Sequence, residues 1–254
     1  MLIDTHCQLQ FFSKEQRREI CFQLSRQKFK VINSTTKLED FDEVAVLAIE
    51  NSWLWMSLGV HPTEAKNVKN CEELESCFTS YLHKQELREK IVAIGETGLD
   101  YFHVQDEAEQ KLQREVFIKQ LEIAAKYDKP VVIHSRNTYE ETYQILESKQ
   151  VSRFEMHFFQ GSLKQADKFM ALGGYLAFSF PVTFTDSYDQ TISHVPLDRI
   201  LLETDAPFVR QNSPLDISSV YDKVAAVKGI RLEELEKAME QNVRNFFGIN
   251  NHAN

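Results

Sequence analysis

Short apolar runs alternate with longer amphipathic stretches along the whole chain, and this alternation restricts the fold more than any other feature of the sequence. The runs are LIDTHC (2–7), FKVINS (29–34), WLWMSLGV (53–60), KIVAIGE (90–96), KPVVIHS (129–135), RFEMHFF (153–159), GYLAFSF (174–180) and DRILLET (198–204). Short buried strands that alternate with helices are typical of parallel sheets with crossover helices. Eight such units in 254 residues predict an α/β protein with a (β/α)8 TIM barrel, and a doubly wound open sheet is the alternative.

The stretches between the runs carry the signals of helices. Ser162 and Gln165 have capping-box spacing at the start of a helix predicted over 163–172, and Gly173 follows its end. Residues 231–247 repeat apolar side chains at helical steps, which predicts a C-terminal amphipathic helix packed on the barrel. No linker-like composition divides the chain, so we expect one barrel domain over residues 1–254.

Composition limits the partners and the compartment. The chain has 38 acidic and 29 basic residues, and its formal net charge of -9 repels a polyanion such as DNA. A nucleic-acid role therefore requires a locally positive site or bound cations. No stretch approaches the roughly 20 apolar residues of a membrane span, no signal-peptide pattern opens the chain, and its four cysteines show no paired spacing. We expect a cytoplasmic protein without membrane contact, and a monomer by default.

Potential metal ligands stand at the ends of five of the eight runs. These residues are His6-Cys7-Gln8, Glu96, His134, His157 and Glu203-Thr204-Asp205. Strand alternation places His6 and Gln8 on one face, together with Asp4. In a parallel barrel all of these ends open on the carboxyl-terminal rim, where the active sites of this fold are built. We therefore expect residues far apart in the sequence to converge on one mouth.

The chemistry of these side chains predicts one or two bound divalent metal ions. Imidazoles and carboxylates together suit zinc, manganese or magnesium, and a carboxylate such as Glu96 can bridge two ions. Two ions about 3.5–4 Å apart can hold the attacking and leaving oxygens of a phosphoester displacement. Asp205 can bind a metal and also accept a proton from the attacking water. Any one of these residues alone is more often structural, so the prediction depends on all five strand ends together.

Further residues near the rim are candidates for substrate contacts. His61, which follows the third run, either contacts substrate or shapes its turn, and Arg136 either binds a phosphate or forms a surface ion pair. Glu203 is also a candidate for substrate binding. Tyr101 and Phe102 either stack on a terminal base or pack over the rim. No GxSxG, Walker or GxGxxG pattern is present, so we expect no nucleotide cofactor.

Several motifs together resemble one family. They are IDTHC, SLGVHP, AIGETGLDYF, QREVFIKQLEIAAKYDKPVVIHSR, MHFFQG and LLETDAP, in this order over nearly the whole chain. This series is similar to that of the TatD-type deoxyribonucleases, which are relatives of the amidohydrolase superfamily. The resemblance implies a (β/α)8 barrel, one or two divalent metal ions and metal-dependent cleavage of DNA phosphodiesters, often as a 3′-to-5′ exonuclease.

The resemblance also implies roles for individual residues. His6 and Asp205 would bind the first metal, His134 and His157 the second, and Glu96 would bridge the two. Glu96 and Asp205 would be the catalytic carboxylates, with Asp205 as the base for the nucleophilic water.

The chain departs from the family pattern at the first metal site. The family usually has His-x-His where this chain has His6-Cys7-Gln8, and an acidic residue that usually follows is Gln10 here. HFFQG also replaces the commoner His-Cys-Phe-Ser/Thr-Gly. The amide oxygen of Gln8 is a harder and weaker ligand than imidazole, and it suits magnesium or manganese better than zinc. We therefore expect a weak, exchangeable metal at the first site.

Three functions remain open from the sequence. The leading hypothesis is a metal-dependent hydrolase with DNA as its substrate, acting at single-stranded 3′ ends. A small-molecule metallohydrolase on the same barrel is the second, because the fold hosts many chemistries. The third is a degenerate non-catalytic binder, with Gln8 as the sign of lost catalysis. The other ligand positions are retained, which favours an enzyme.

Overall fold

The computed structural model describes residues 1–27 and 29–249, and within them eight parallel strands form one sheet in sequence order. The strands are β1 (Ile3–Cys7), β2 (Lys30–Ser34), β3 (Leu54–Leu58), β4 (Ile91–Asp100), β5 (Val131–Arg136), β6 (Phe154–Met156), β7 (Tyr175–Phe178) and β8 (Ile200–Leu202). Each strand pairs with the next one along the chain. With helices between the strands, this is the predicted (β/α)8 barrel, and the open-sheet alternative is wrong.

The first and last strands meet at a seam that brings the sheet to a nearly closed barrel. Cys7 forms a parallel bridge with Ala206 just beyond β8. The backbone N–H of Asp205 donates to the carbonyl of His6 at 3.0 Å. A carboxylate oxygen of Asp4 accepts the backbone N–H of Thr204 at 3.0 Å, across 200 positions of sequence. The seam therefore joins the ends of the first and last strands beside the mouth.

Helices follow the strands and surround the barrel. In the described residues they are α1 (Lys14–Gln27), α2 (Phe41–Glu50), α3 (Cys71–Leu82), α4 (Glu107–Lys126), α5 (Tyr139–Ser148), α6 (Leu163–Ala171), α7 (Asp189–His194), α8 (Ile217–Lys228) and α9 (Leu232–Phe247). The capping box that begins α6 is confirmed, with both reciprocal hydrogen bonds between Ser162 and Gln165 present. Among the described helices, none is long and apolar enough to cross a membrane.

The predicted C-terminal helix is confirmed as α9, and it packs on the barrel at the end opposite the mouth. Its Val243, Phe246 and Phe247 join a buried cluster with Ile3 and Leu201, which lie in β1 and β8. The side-chain amide of Asn242 donates to the carbonyls of Leu197 and Ile200, each at 2.8 Å. Apolar burial and these two bonds fix α9 against the start of β8.

Strand β4 is longer than the sequence predicts. The apolar run ends at Glu96, but the strand continues to Asp100 with every residue buried. The pairing with β5 shifts register between Ile94 and Thr97, so that Glu96 lies at a local irregularity within the strand. Such irregularities re-aim side chains next to active sites. Beyond it, Gly98 lies opposite His134, where a Cβ would come within 1.9 Å of the His134 carbonyl oxygen.

Candidate metal centre

Glu96 lies at the centre of the barrel mouth, and one of its carboxylate oxygens faces three imidazoles. The Glu96 side chain is 3% exposed. Its Oε1 accepts a hydrogen bond from Nδ1 of His134 at 2.9 Å. The same oxygen is 3.6 Å from Nε2 of His157 and 3.6 Å from Nε2 of His61. Side chains from β4, β5 and the segments after β3 and β6 therefore share one carboxylate oxygen.

The second oxygen of Glu96 faces the end of β1. Oε2 is 3.3 Å from Nε2 of His6 and accepts a hydrogen bond from the Gln8 amide nitrogen at 3.1 Å. Oδ1 of Asp205 completes this side, at 3.9 Å from Nε2 of His6 and 3.6 Å from Nε2 of His157. The two oxygens of Glu96 thus face two different groups of potential ligands, which is the arrangement a bridging carboxylate requires.

Four groups of side chains bring ligand atoms within 4.8 Å of one another. They are His6–His157–Asp205, Glu96–His134–His157, His61–Asp100–His134 and His6–Glu155–Glu203. Nitrogen and carboxylate donors in this mixture suit zinc, manganese or magnesium. In addition, Oε1 of Gln8 is buried without a hydrogen-bond partner among the described residues, and it can bind a cation beside Glu96 if the amide, whose nitrogen now faces Glu96, turns over. The residues present therefore fit divalent metal ions.

Two buried carboxylates accept hydrogen bonds from the imidazoles of His157 and His134. Oε2 of Glu203 accepts a hydrogen bond from Nδ1 of His157 at 2.9 Å, and its Oε1 accepts the backbone N–H of Phe158 at 2.9 Å. Oδ2 of Asp100 accepts Nε2 of His134 at 3.0 Å. A hydrogen bond to the far nitrogen fixes the orientation and tautomer of a ligating imidazole. Glu203, predicted as a substrate contact, is fully buried and has both oxygens engaged by the protein.

Sequence reasoning missed Asp100 and Glu155. Asp100 lies beyond Glu96, where the predicted fourth strand ends, although its position at the end of AIGETGLD indicates a polar residue near the rim. Glu155 interrupts the apolar run RFEMHFF, and that lone charge was the signal. Its carboxyl group is fully buried beside His6 and Glu203, and neither oxygen has a hydrogen-bond partner among the described residues. Burial raises the pKa of Glu155 well above its usual value.

Glu96 and Asp100 are ionised, and the protonated imidazoles of His6 and His134 balance their two charges. Burial alone lowers the pKa of His6, but the hydrogen bond and the charge of Glu96 outweigh burial and raise it to about 10. At His134 the hydrogen bonds to Asp100 and Glu96 likewise outweigh burial and raise the pKa to about 9. Burial acts to raise the pKa of Glu96, but the surrounding imidazoles hold it well below its usual range.

Burial dominates at the remaining groups of the mouth. It lowers the pKa of His61 to about 3 and that of His157 to about 4, so both rings are neutral at physiological pH. Neutral imidazole is the form that binds a metal. Burial also raises the pKa of Asp205 to about 7, against the opposing effect of His157 and His6. The Asp205 carboxylate therefore exchanges a proton near neutral pH.

Two other predicted residues lie at the edge of this cluster. His61 reaches Glu96, and its Nδ1 is 2.7 Å from Oγ1 of Thr63 in the following turn. Arg136 is exposed and lies outside the ligand groups, with its guanidinium 4.9 Å from the ring centroid of Phe102. The structure thus brings His6, Gln8, His61, Glu96, His134, His157, Glu203 and Asp205 together, and it leaves Arg136 at the rim.

Imidazoles and carboxylates gathered at the carboxyl mouth of a (β/α)8 barrel define a class of metal-dependent hydrolases. Within that class, this chain belongs to the TatD related DNase family, whose model matches residues 3–248. The resemblance seen in the motifs is confirmed.

Individual relatives agree with this membership. YcfH of Escherichia coli strain K12, an uncharacterized metal-dependent hydrolase, is 30% identical over 265 residues, which cover 98% of this chain and 96% of YcfH. The crystal structure of the TatD homologue YjjV from Escherichia coli K12 is 29% identical, covers 98% of both chains and superposes with a TM-score of 0.87. The mouse protein TATDN3, a putative deoxyribonuclease by name, is 25% identical over 97% of this chain and 88% of its own length.

Proposed function

We propose that this protein is a metal-dependent deoxyribonuclease that hydrolyses phosphodiester bonds at single-stranded 3′ ends of DNA. The observation that carries the proposal is the position of Glu96, whose two oxygens face two groups of potential ligands beside Asp205. This geometry suits two cations that share a carboxylate, and paired cations are the common device for in-line displacement at phosphorus. The name of the mouse relative points to the same substrate class.

Some of these side chains would bind the metal ions, and others transfer protons or position the metal ligands. His6 and Asp205 would hold a first divalent ion with the amide oxygen of Gln8, and His134 and His157 a second, with Glu96 between them. When bound, such ions act as Lewis acids and lower the pKa of a bound water.

Proton transfer and positioning fall to other groups of the chain. Asp205 accepts the proton of the attacking water at Oδ1. Glu203 and Asp100 act as positioning residues for His157 and His134. Arg136 at the rim supplies a fixed positive charge for a phosphate.

The test is cleavage of DNA labelled at its 3′ end. Metal-stripped protein is given magnesium, manganese or zinc and incubated with a labelled single strand, with the matching duplex and RNA in parallel. We expect metal-dependent release of short products from the single strand, and loss of that release in Asp205→Asn purified in the same way. A general base typically contributes on the order of 10²–10⁴ in rate, which makes the loss measurable.

Other results would favour the alternatives. Hydrolysis of a small phosphoester or amide without cleavage of DNA would indicate a small-molecule hydrolase on the same barrel. No hydrolysis of any substrate by metal-loaded protein would favour a non-catalytic binder. Equal cleavage by the Asp205→Asn preparation would reveal a contaminating nuclease.

A further inference from the structure

Exposed phenylalanine rings are concentrated at the mouth of the barrel. Among the described residues, five phenylalanines are 41% to 56% exposed. Four of them lie in the segments that follow strands at the carboxyl end, and the fifth, Phe22, lies on α1. The four are Phe11 after β1, Phe102 after β4, Phe184 after β7 and Phe208 after β8. Exposed rings are unfavourable in water, so the position of four of these five rings at the carboxyl end of the barrel requires an explanation.

Three of these rings and one arginine lie in the neighbouring segments after β1, β7 and β8, and we call this set the aromatic arc: Phe11, Phe184, Phe208 and Arg210. The rings of Phe11 and Phe208 meet edge to face with centroids 5.1 Å apart. The guanidinium of Arg210 lies 3.6 Å from the ring centroid of Phe184. Because β7, β8 and β1 are neighbours around the barrel, the arc follows one side of the mouth.

The aromatic arc is tied directly to the candidate metal centre. The backbone N–H of Phe208 donates to the carbonyl of Asp205 at 2.9 Å. The backbone N–H of Phe11 donates to the carbonyl of Gln8 at 3.2 Å. Phe208 and Phe11 therefore each follow a potential ligand by three positions, so a strand that contacts these two rings lies close to the candidate metal centre.

We propose that the aromatic arc binds the unpaired bases of a DNA strand whose end lies in the mouth. This inference rests on the proposed nuclease function and adds to it a reason for single-strand selectivity. Aromatic rings stack on bases of any sequence, and such stacking contributes about 1–3 kcal/mol per base. In a duplex the faces of the bases are already stacked on each other, so only an unpaired strand can use the arc.

The charge of the protein favours this mode of binding. A net charge of -9 opposes the broad phosphate contacts by which most DNA-binding proteins gain affinity. Stacking on uncharged rings avoids that repulsion. Arg210 places one positive charge within the arc, where it can contact a phosphate between stacked bases. Across the mouth, Arg136 over Phe102 repeats the pairing of a guanidinium with an exposed ring.

Binding to an inactive protein isolates the arc from the chemistry. In an Asp205→Asn background, fluorescence anisotropy measures the affinity for a labelled 12-nucleotide strand and for its duplex. We expect Phe208→Ala and Phe184→Ala each to weaken single-strand binding at least about fivefold, the loss that one stacked base predicts. Phe208→Trp keeps a ring and should retain affinity. Phe22→Ala removes an equally exposed ring from α1 and is the matched control.

Turnover by the otherwise native enzyme gives a second readout. Phe208→Ala should raise KM for the single strand and leave kcat within about twofold, because the arc holds the strand and takes no part in proton transfer. An unchanged thermal midpoint and far-UV spectrum show that the variant is folded. If Phe208→Ala does not fold, Phe184→Ala provides the same test at a second ring.

Failure of the arc and failure of the proposed function give different results. If native protein cleaves a single strand but both alanine variants bind and turn over like Phe22→Ala, the arc proposal is wrong and the nuclease stands. If native protein cleaves no DNA with any metal, the proposed function is wrong. Equal losses for single strand and duplex, or a shift of a dimer to monomer on ring removal, would show that the arc serves another partner.

Discussion

The side-chain amide of Gln8 donates a hydrogen bond of 3.1 Å to Oε2 of Glu96. The same nitrogen lies 3.0 Å from Nε2 of His6, and the amide oxygen is buried without a partner among the described residues. An NH₂ group cannot bind a cation, so Gln8 ligates only if its amide turns to present the oxygen. The amide nitrogen and a metal ion therefore compete for the same carboxylate oxygen of Glu96.

Replacing Gln8 with histidine should tighten metal binding at the β1 side of the mouth. Imidazole is a stronger ligand for zinc than an amide oxygen, and the competing NH₂ group is removed. We expect Gln8→His to raise zinc affinity at that site at least about tenfold, measured by equilibrium titration of stripped protein. Gln23→His on exposed α1 adds a histidine away from the mouth and should change nothing. Two tightly held zinc ions in the native protein would contradict this prediction.

Metal affinity should fall as the pH is lowered. In the stripped protein, His6 with its pKa of about 10 and His134 with its pKa of about 9 carry protons that an incoming cation must displace. Each displaced proton weakens binding about tenfold per pH unit below those values. Calorimetric titrations in buffers of different ionisation enthalpy count the protons, and we expect one to two per ion. Surface His194→Gln is the control, and pH-independent affinity would overturn the assignment.

The stability of the metal-free protein should fall as the pH is raised. The folded-state pKa of His6, about 10, lies above the ordinary histidine value of 6.5. The stability that His6 contributes is therefore fully present below about pH 6.5 and is lost as the pH rises towards 10. Thermal unfolding of stripped protein between pH 6 and pH 10 measures this loss, which bound metal should reduce. A midpoint that stays constant or rises over that range would contradict it.

Replacement of Glu203 by glutamine should weaken metal binding without unfolding the protein. Glu203 accepts hydrogen bonds from His157 and from the backbone of Phe158 with separate oxygens, and a glutamine can accept only one of them. We expect Glu203→Gln to lower metal affinity about 10- to 100-fold, the usual effect of removing the partner of a ligating imidazole. Glu140→Gln, at a surface ion pair with Lys168, is the matched control. Native affinity in Glu203→Gln would show that His157 needs no such support.

A methyl group at Gly98 should disturb the pairing of β4 with β5. The Cβ would lie 1.9 Å from the carbonyl oxygen of His134, and Gly98 has a φ of +144°. We expect Gly98→Ala to lower the free energy of unfolding by more than about 3 kcal/mol in urea titrations. Gly229→Ala also has a positive φ but no neighbouring atom within 4 Å, and it should cost about 1–2 kcal/mol. Equal losses in the two variants would show that strain alone, without the clash, accounts for the effect.

The sequence predicted the parts of this molecule that depend on local pattern. Strand runs, the cap at Ser162 and α9 follow from short-range periodicity and capping chemistry. The end of β4 does not, because residues beyond Glu96 are held in the strand by pairing with β5, a partner distant in sequence. Because the predicted strand stops at Glu96, Asp100 is not among the predicted site residues. The lone charge of Glu155 in an apolar run marks it as unusual, but its position beside His6 and Glu203 depends on strands distant in sequence.

The seam between β1 and β8 also determines when the centre can exist during synthesis. The ribosome delivers His6 well before Asp205, and the hydrogen bond between Thr204 and Asp4 beside them crosses 200 positions of sequence. A nascent chain that has not yet emerged past Ala206 has an unpaired edge at β1 and lacks one of its carboxylates. The metal centre can therefore assemble only after the segment around Asp205 has been synthesised.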